Sequence, residues 1–99
     1  MRRFPDENAC LGLHVAPEQP GYVAIRWMRE TRRSVRARVV AHTCDYCSPL
    51  AYELCSSGGL LFVRRTDRTA NTPKVRETER LPDARAHRTW LDLLLGRAR

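Results

Sequence analysis

Cysteine and histidine are the side chains whose spacing here can do chemistry. Three of the four cysteines and one of the three histidines fall in AHTCDYCSPLAYELC, residues 41–55. Cys44 and Cys47 have the C-x2-C spacing in which two thiolates on a tight turn grip one zinc ion. A structural zinc takes four ligands, and the chain has no second C-x2-C. Two completions are open. Cys10 and His14 share one face of a helical turn and would pin the N-terminal arm to the rest of the chain. Alternatively, His42 and Cys55 come from the same hairpin. The expected cofactor is therefore one structural zinc or none.

Two other readings compete for these thiols. Buried cysteine behaves as a small hydrophobe, and that suits Cys55 on a strand and Cys10 beside Leu11. The run VVAHTCDYCSPLAYEL is similar to the thioredoxin-like glutaredoxin turn, with Thr72-Pro73 resembling the Thr-x-Pro region. That likeness implies a parallel βαβ unit and thiol redox chemistry. Only about two dozen residues separate Cys47 from Pro73, too few for the crossover such a unit needs. Asp45, between the thiols, raises their pKa where a redox cysteine needs it lowered.

A domain able to hold these groups must be built from 99 residues, enough for one modest core. The longest apolar runs, Leu60–Val63 and Leu93–Leu95, are too short for a membrane helix. Met1-Arg2-Arg3 is followed by Phe4-Pro5-Asp6-Glu7-Asn8, not the apolar run of a signal peptide, so a cytoplasmic location with reduced thiols is expected. The formal charge is +7, and Lys74 is the only lysine among the 18 basic residues. Arginine of this kind fits a GC-rich genome. Its planar fork suits carboxylate and phosphate equally, so the charge predicts an anionic partner without naming it.

Residues 1–20 carry Pro5, Pro17 and Pro20 and read as an irregular arm; residues 21–99 read as a single domain. Val23, Ile25 and Trp27 alternate with Ala24, Arg26 and Met28. Val35, Ala37, Val39 and Ala41 alternate with Arg36, Arg38, Val40 and His42. Paired as a hairpin, these runs would carry Arg26, Arg36 and Arg38 on one exposed, anion-binding face. Leu50–Cys55 alternates as a strand, with a short helix capped by Ser48 as the competing reading. Ser56-Ser57-Gly58-Gly59 is a turn, Leu60–Arg65 a strand, and Lys74–Glu79 another, with Glu77 and Glu79 able to face Arg64 or Arg65. From Asp83, read as an N-cap, Ala86, Trp90, Leu93 and Leu94 fall at helical spacing, and Gly96 ends the helix. The predicted fold is α+β: a four- to five-stranded antiparallel meander with one C-terminal helix packed on it.

The spans YELCSSGGLLFVRRTDR and VRETERLPDARAHRTWLDLLLGRAR resemble a group of small uncharacterised actinomycete proteins with a Tyr-Glu-Leu-Cys hairpin, a Gly-Gly turn and a terminal Trp helix. The ending also resembles the DUF397 regulatory partner proteins, which implies a regulatory or adaptor role beside a helix-turn-helix repressor. The expected function is a non-enzymatic small binding module whose arginine face meets an acidic protein partner. Nucleic-acid binding with a structural zinc is the alternative, and a homodimer through an edge strand is compatible with either.

Overall fold

A computed structural model of the chain describes residues 11–31 and 36–99. Its backbone forms β1 (Met28–Arg29), β2 (Arg38–His42), β3 (Leu50–Ser57), β4 (Leu60–Asp67), β5 (Lys74–Glu77) and α1 (Asp83–Leu94). The five strands make one antiparallel sheet in the order β1-β5-β4-β3-β2. β2 to β5 run as a meander, and β1 closes the far side of β5. This is the α+β architecture expected from the residue periodicities.

The centre is the β3–β4 hairpin, paired in unbroken register from Leu50 with Asp67 to Ser57 with Leu60. Its two-residue turn requires positive φ at both positions, and Gly58 (φ 60°) and Gly59 (φ 83°) supply it without steric penalty. Leu50–Ser57 is thus strand throughout, and the alternative of a short helix after Ser48 is not adopted. Alternation divides the side chains. Tyr52, Leu54, Leu61 and Val63 face α1 and form the core with Leu81, Ala86, Trp90 and Leu93. Ala51, Cys55 and Phe62 point to the other face and are also buried. No second helix covers that side among the described residues. Instead the Arg80 guanidinium lies 4.5 Å over the Phe62 ring, and Arg64 bonds Glu53 across the hairpin at 2.8 Å. Glu77, only 1% exposed, accepts from Arg80 at 3.2 Å. Charged heads in paired geometry thus shield an apolar layer with their stems.

Three sequence expectations are corrected. The runs 22–28 and 35–41 do not form a hairpin: β1 and β2 lie at opposite edges of the sheet. Val35 is outside the described residues. Alternation tells which face a side chain takes and nothing about which strand it lies beside, and here β5 captures β1 while β3 captures β2. Secondly, Asp83 is the first helical residue, and Pro82 occupies the N-cap position with no side-chain cap. The strand after the polar loop also stops at Glu77, two residues early. Thr78 turns towards β4, its N–H bonding the Val63 carbonyl and its hydroxyl accepting from the Val63 N–H.

The helix ends in a Schellman turn, with Gly96 N–H bonding Leu93 O and Arg97 N–H bonding Asp92 O. This turn carries the tail back across the N-terminal segment. Residues 11–20 contain no helix or strand, yet Ala16 N–H bonds Leu94 O and Gln19 N–H bonds Gly96 O. Val23 and Ile25 then pair with the tail through Arg97 and Arg99, and the Trp27 indole donates to Arg99 O at 2.9 Å. The Arg99 guanidinium donates to Leu93 O at 2.7 Å and to Ala16 O. Gly96 has φ 78°, and a Cβ there would strike the Pro17 carbonyl. Gly96→Ala therefore adds backbone strain to a backbone clash. It should lower stability by at least about 2–3 kcal/mol, a melting-temperature loss on the order of 10–20 °C by thermal denaturation.

Candidate metal centre

The loop between β2 and β3, residues 43–49, is held at its neck by Thr43. Its N–H bonds Tyr52 O at 2.9 Å and its hydroxyl accepts from the Tyr52 N–H at 2.9 Å. The next residue, Cys44, donates its N–H to Leu13 O at 2.8 Å, which lays the arm beside the cysteine turn. His14 follows Leu13 directly. The outcome is that His14, Cys44 and Cys47 bring their ligating atoms within 4.8 Å of one another and could hold a metal ion. They line a cleft of about 170 Å³ with Leu13, Val15, Thr43, Ser48 and Leu50.

Zinc bonds of about 2.3 Å to sulfur and 2.0–2.1 Å to imidazole, in a tetrahedron, put neighbouring ligand atoms about 3.5–3.8 Å apart. Closing from separations of at most 4.8 Å requires side-chain movement of no more than about 1 Å, and His14 and Cys47 are exposed enough to make it. Cys44 is already oriented, because the Tyr46 N–H donates to its sulfur at 3.3 Å. No disulfide joins the described cysteines.

The other predicted ligands are distributed differently. Cys10 lies outside the described residues. His42 does not join the cluster. It bonds the Thr43 carbonyl and lines a separate pocket of about 100 Å³ with Asp45, Glu53, Thr66 and Arg68. Cys55 is fully buried on the sheet face away from α1, and burial pushes its thiol up to about 11. It is a packing residue, protonated at neutral pH, which is the role its strand position suggested.

The predicted anion-binding arginines are all exposed but lie towards opposite edges of the sheet. Arg26 precedes β1, and Arg36 and Arg38 belong to the β2 side. Four strand spacings separate those edges, about 19 Å. Sequence reasoning missed a different feature beside Arg26. A cleft of about 280 Å³ opens between residues 23–26 and 78–81, bounded by Arg85, Thr89 and Asp92 of α1. Nothing in the alternation of residues 22–28 signals that this strand parts from its neighbour.

No helix among the described residues is long and apolar enough to cross a membrane. Comparison with known proteins yields no matching family model, curated sequence or solved structure.

Differential alkylation separates the two kinds of cysteine. At pH 8, in metal-free native protein, Cys44 and Cys47 should react with iodoacetamide within minutes and Cys55 only after unfolding. A raised native pKa also fixes a pH dependence. The unfolded thiol ionises near 9.0 while the folded one stays protonated to about 11. Stability contributed by Cys55 is present below pH 9 and is lost as pH rises to about 11. Urea titrations across that window should show a fall that Cys55→Ala reduces.

Proposed function

We propose that this protein is a small non-enzymatic binding module in which one zinc ion, held by His14, Cys44 and Cys47, clamps the N-terminal arm to the sheet. The observation that supports it is the convergence of two thiols and an imidazole from segments about 30 residues apart, joined by the Cys44–Leu13 backbone bond. Two thiolates and an imidazole suit zinc above magnesium or calcium, which require oxygen. Three protein ligands leave one tetrahedral position. Cys10 is the residue the sequence offers for it, and water is the alternative occupant. An ion that binds the folded chain and not the unfolded one adds its binding free energy to stability, a strong effect in a domain this small.

The metal serves structure in this reading, and binding falls to the exposed arginines. Their placement at two separate edges supports an acidic protein partner over nucleic acid, because a duplex or single strand calls for a continuous basic track. The sheet edges offer such a partner backbone as well as charge.

Protein purified without chelator should contain one equivalent of zinc, and cobalt substitution should give intense thiolate-to-metal absorption in the near ultraviolet. With free zinc at about a hundred times its dissociation constant, stabilisation of about 2.7 kcal/mol corresponds to a melting-temperature gain on the order of 10–20 °C. Cys44→Ser and His14→Ala should each abolish that gain, and Cys10→Ser should reduce it only if Cys10 is the fourth ligand. Zinc below about a tenth of an equivalent, with no thermal response to added metal, would sink the clamp, since a structural site couples binding to folding.

A further inference from the structure

β1 pairs with β5 through Met28 with Glu77 and Arg29 with Arg76. In a regular ladder the next partners would be Arg26 with Glu79 and Ala24 with Leu81. The ladder comes apart there. On one side, Val23 and Ile25 turn their backbone groups to the tail, bonding Arg97 and Arg99. On the other, Thr78 and Leu81 bond Val63 and Leu61 of β4. The 280 Å³ cleft lies between these segments.

Its walls carry unmet hydrogen-bonding capacity. Val23 and Ile25 face the tail, so alternation points the N–H and C=O of Ala24 and Arg26 into the opening. Among the described residues these four groups have no hydrogen-bond partner, and neither has the Glu79 N–H. Ala24 and Arg26 present donor and acceptor pairs about 6.6–6.8 Å apart, the repeat of an extended chain. Ala24, Arg26 and Glu79 are exposed, so water fills these positions and an incoming strand can replace it. Leu81, Ile25 and Ala98 add apolar wall.

The charge at the rim narrows the occupant. Asp92 is engaged by Arg97 at 3.8 Å. The Arg26 and Arg85 guanidiniums form no ion pair among the described residues, so two free cations stand against Glu79 alone. We infer that this cleft accepts a short extended segment of a partner protein, bearing acidic side chains, as a strand between residues 23–26 and 78–81. Two or three of its residues would enter, hydrogen-bonding to Ala24 and Arg26, with a carboxylate reaching Arg26 or Arg85. The inference rests on the reading of the chain as a binder of acidic protein and not on the metal, with which it shares no residue.

A random heptapeptide library selected on the full chain tests it, with binding mapped by NMR on isotope-labelled protein. The expected result is enrichment of peptides with acidic residues at alternate positions, whose amide shifts concentrate at Ala24, Arg26, Glu79 and Thr89. N-methylation of alternate peptide amides should weaken binding at least about tenfold by removing ladder bonds while leaving side chains intact. Arg85→Glu, an exposed helix substitution, should weaken acidic peptides about tenfold or more. Acidic peptides that map to Arg38–His42 would overturn the cleft and leave the acidic-partner reading standing. Indifference to N-methylation would overturn strand insertion. Failure to enrich any acidic peptide tighter than millimolar would overturn both the cleft and the acidic partner.

Discussion

A sheet buried on both sides, in a chain with only one helix to cover it, is the constraint that shapes this protein. The β3–β4 hairpin places Leu54 and Val63 against α1 and Cys55 and Phe62 against nothing comparable. Water over Phe62 would forfeit much of its burial energy. Arg80, Arg64, Glu53 and Glu77 resolve the conflict by lying across the layer and neutralising one another. Glu77 sits at 1% exposure with the Arg80 guanidinium on its carboxylate, since burying a carboxylate without a partner is costly. The charge of the chain is therefore partly spent internally, and a formal +7 overstates what is offered to a partner.

The helix face has a different weakness. α1 covers the hairpin but leaves the N-terminal segment with no strand partner before Met28. The tail after Gly96 provides one, through Arg97, Ala98 and Arg99. That rescue draws residues 23–25 away from β5, and the cleft beside Arg26 is its geometric by-product. Further along, the same arm reaches Cys44, where a metal would fasten its other end. One irregular segment is thus held at two places by two different chemistries.

What the sequence revealed follows from the range of each interaction. The Gly58–Gly59 turn, the strands around it and the Trp90 stripe depend on neighbours within about ten residues, and their periodicity exposes them. Cys44 with Cys47 is equally local, and His14 was accessible as a ligand type four residues from Cys10. Strand order is not local: the pairing of β1 with β5 depends on packing of Trp27 against Tyr52 and on an indole bond to Arg99, 72 residues away. Nothing near Trp27 announces it. Asp83 had the right chemistry for a cap, yet Pro82 already fixes the backbone entry into the helix, so the cap moved by one residue.

The register shift in β2 has a consequence for the protein in a crowded solution. Val39 pairs with Cys55 and Ala41 with Leu54, leaving Val40 as an extra residue on the outer strand. Val39 and Val40 are exposed on an edge that has no neighbour among the described strands. A straight edge with two valines would be an open template for fibrillar stacking of further chains. The bulge bends that template, and Arg36 and Arg38 set like charges against any identical strand that approaches it. Resistance to amyloid-like growth is thus built into this valine-bearing edge, by one misfitted residue and two cations.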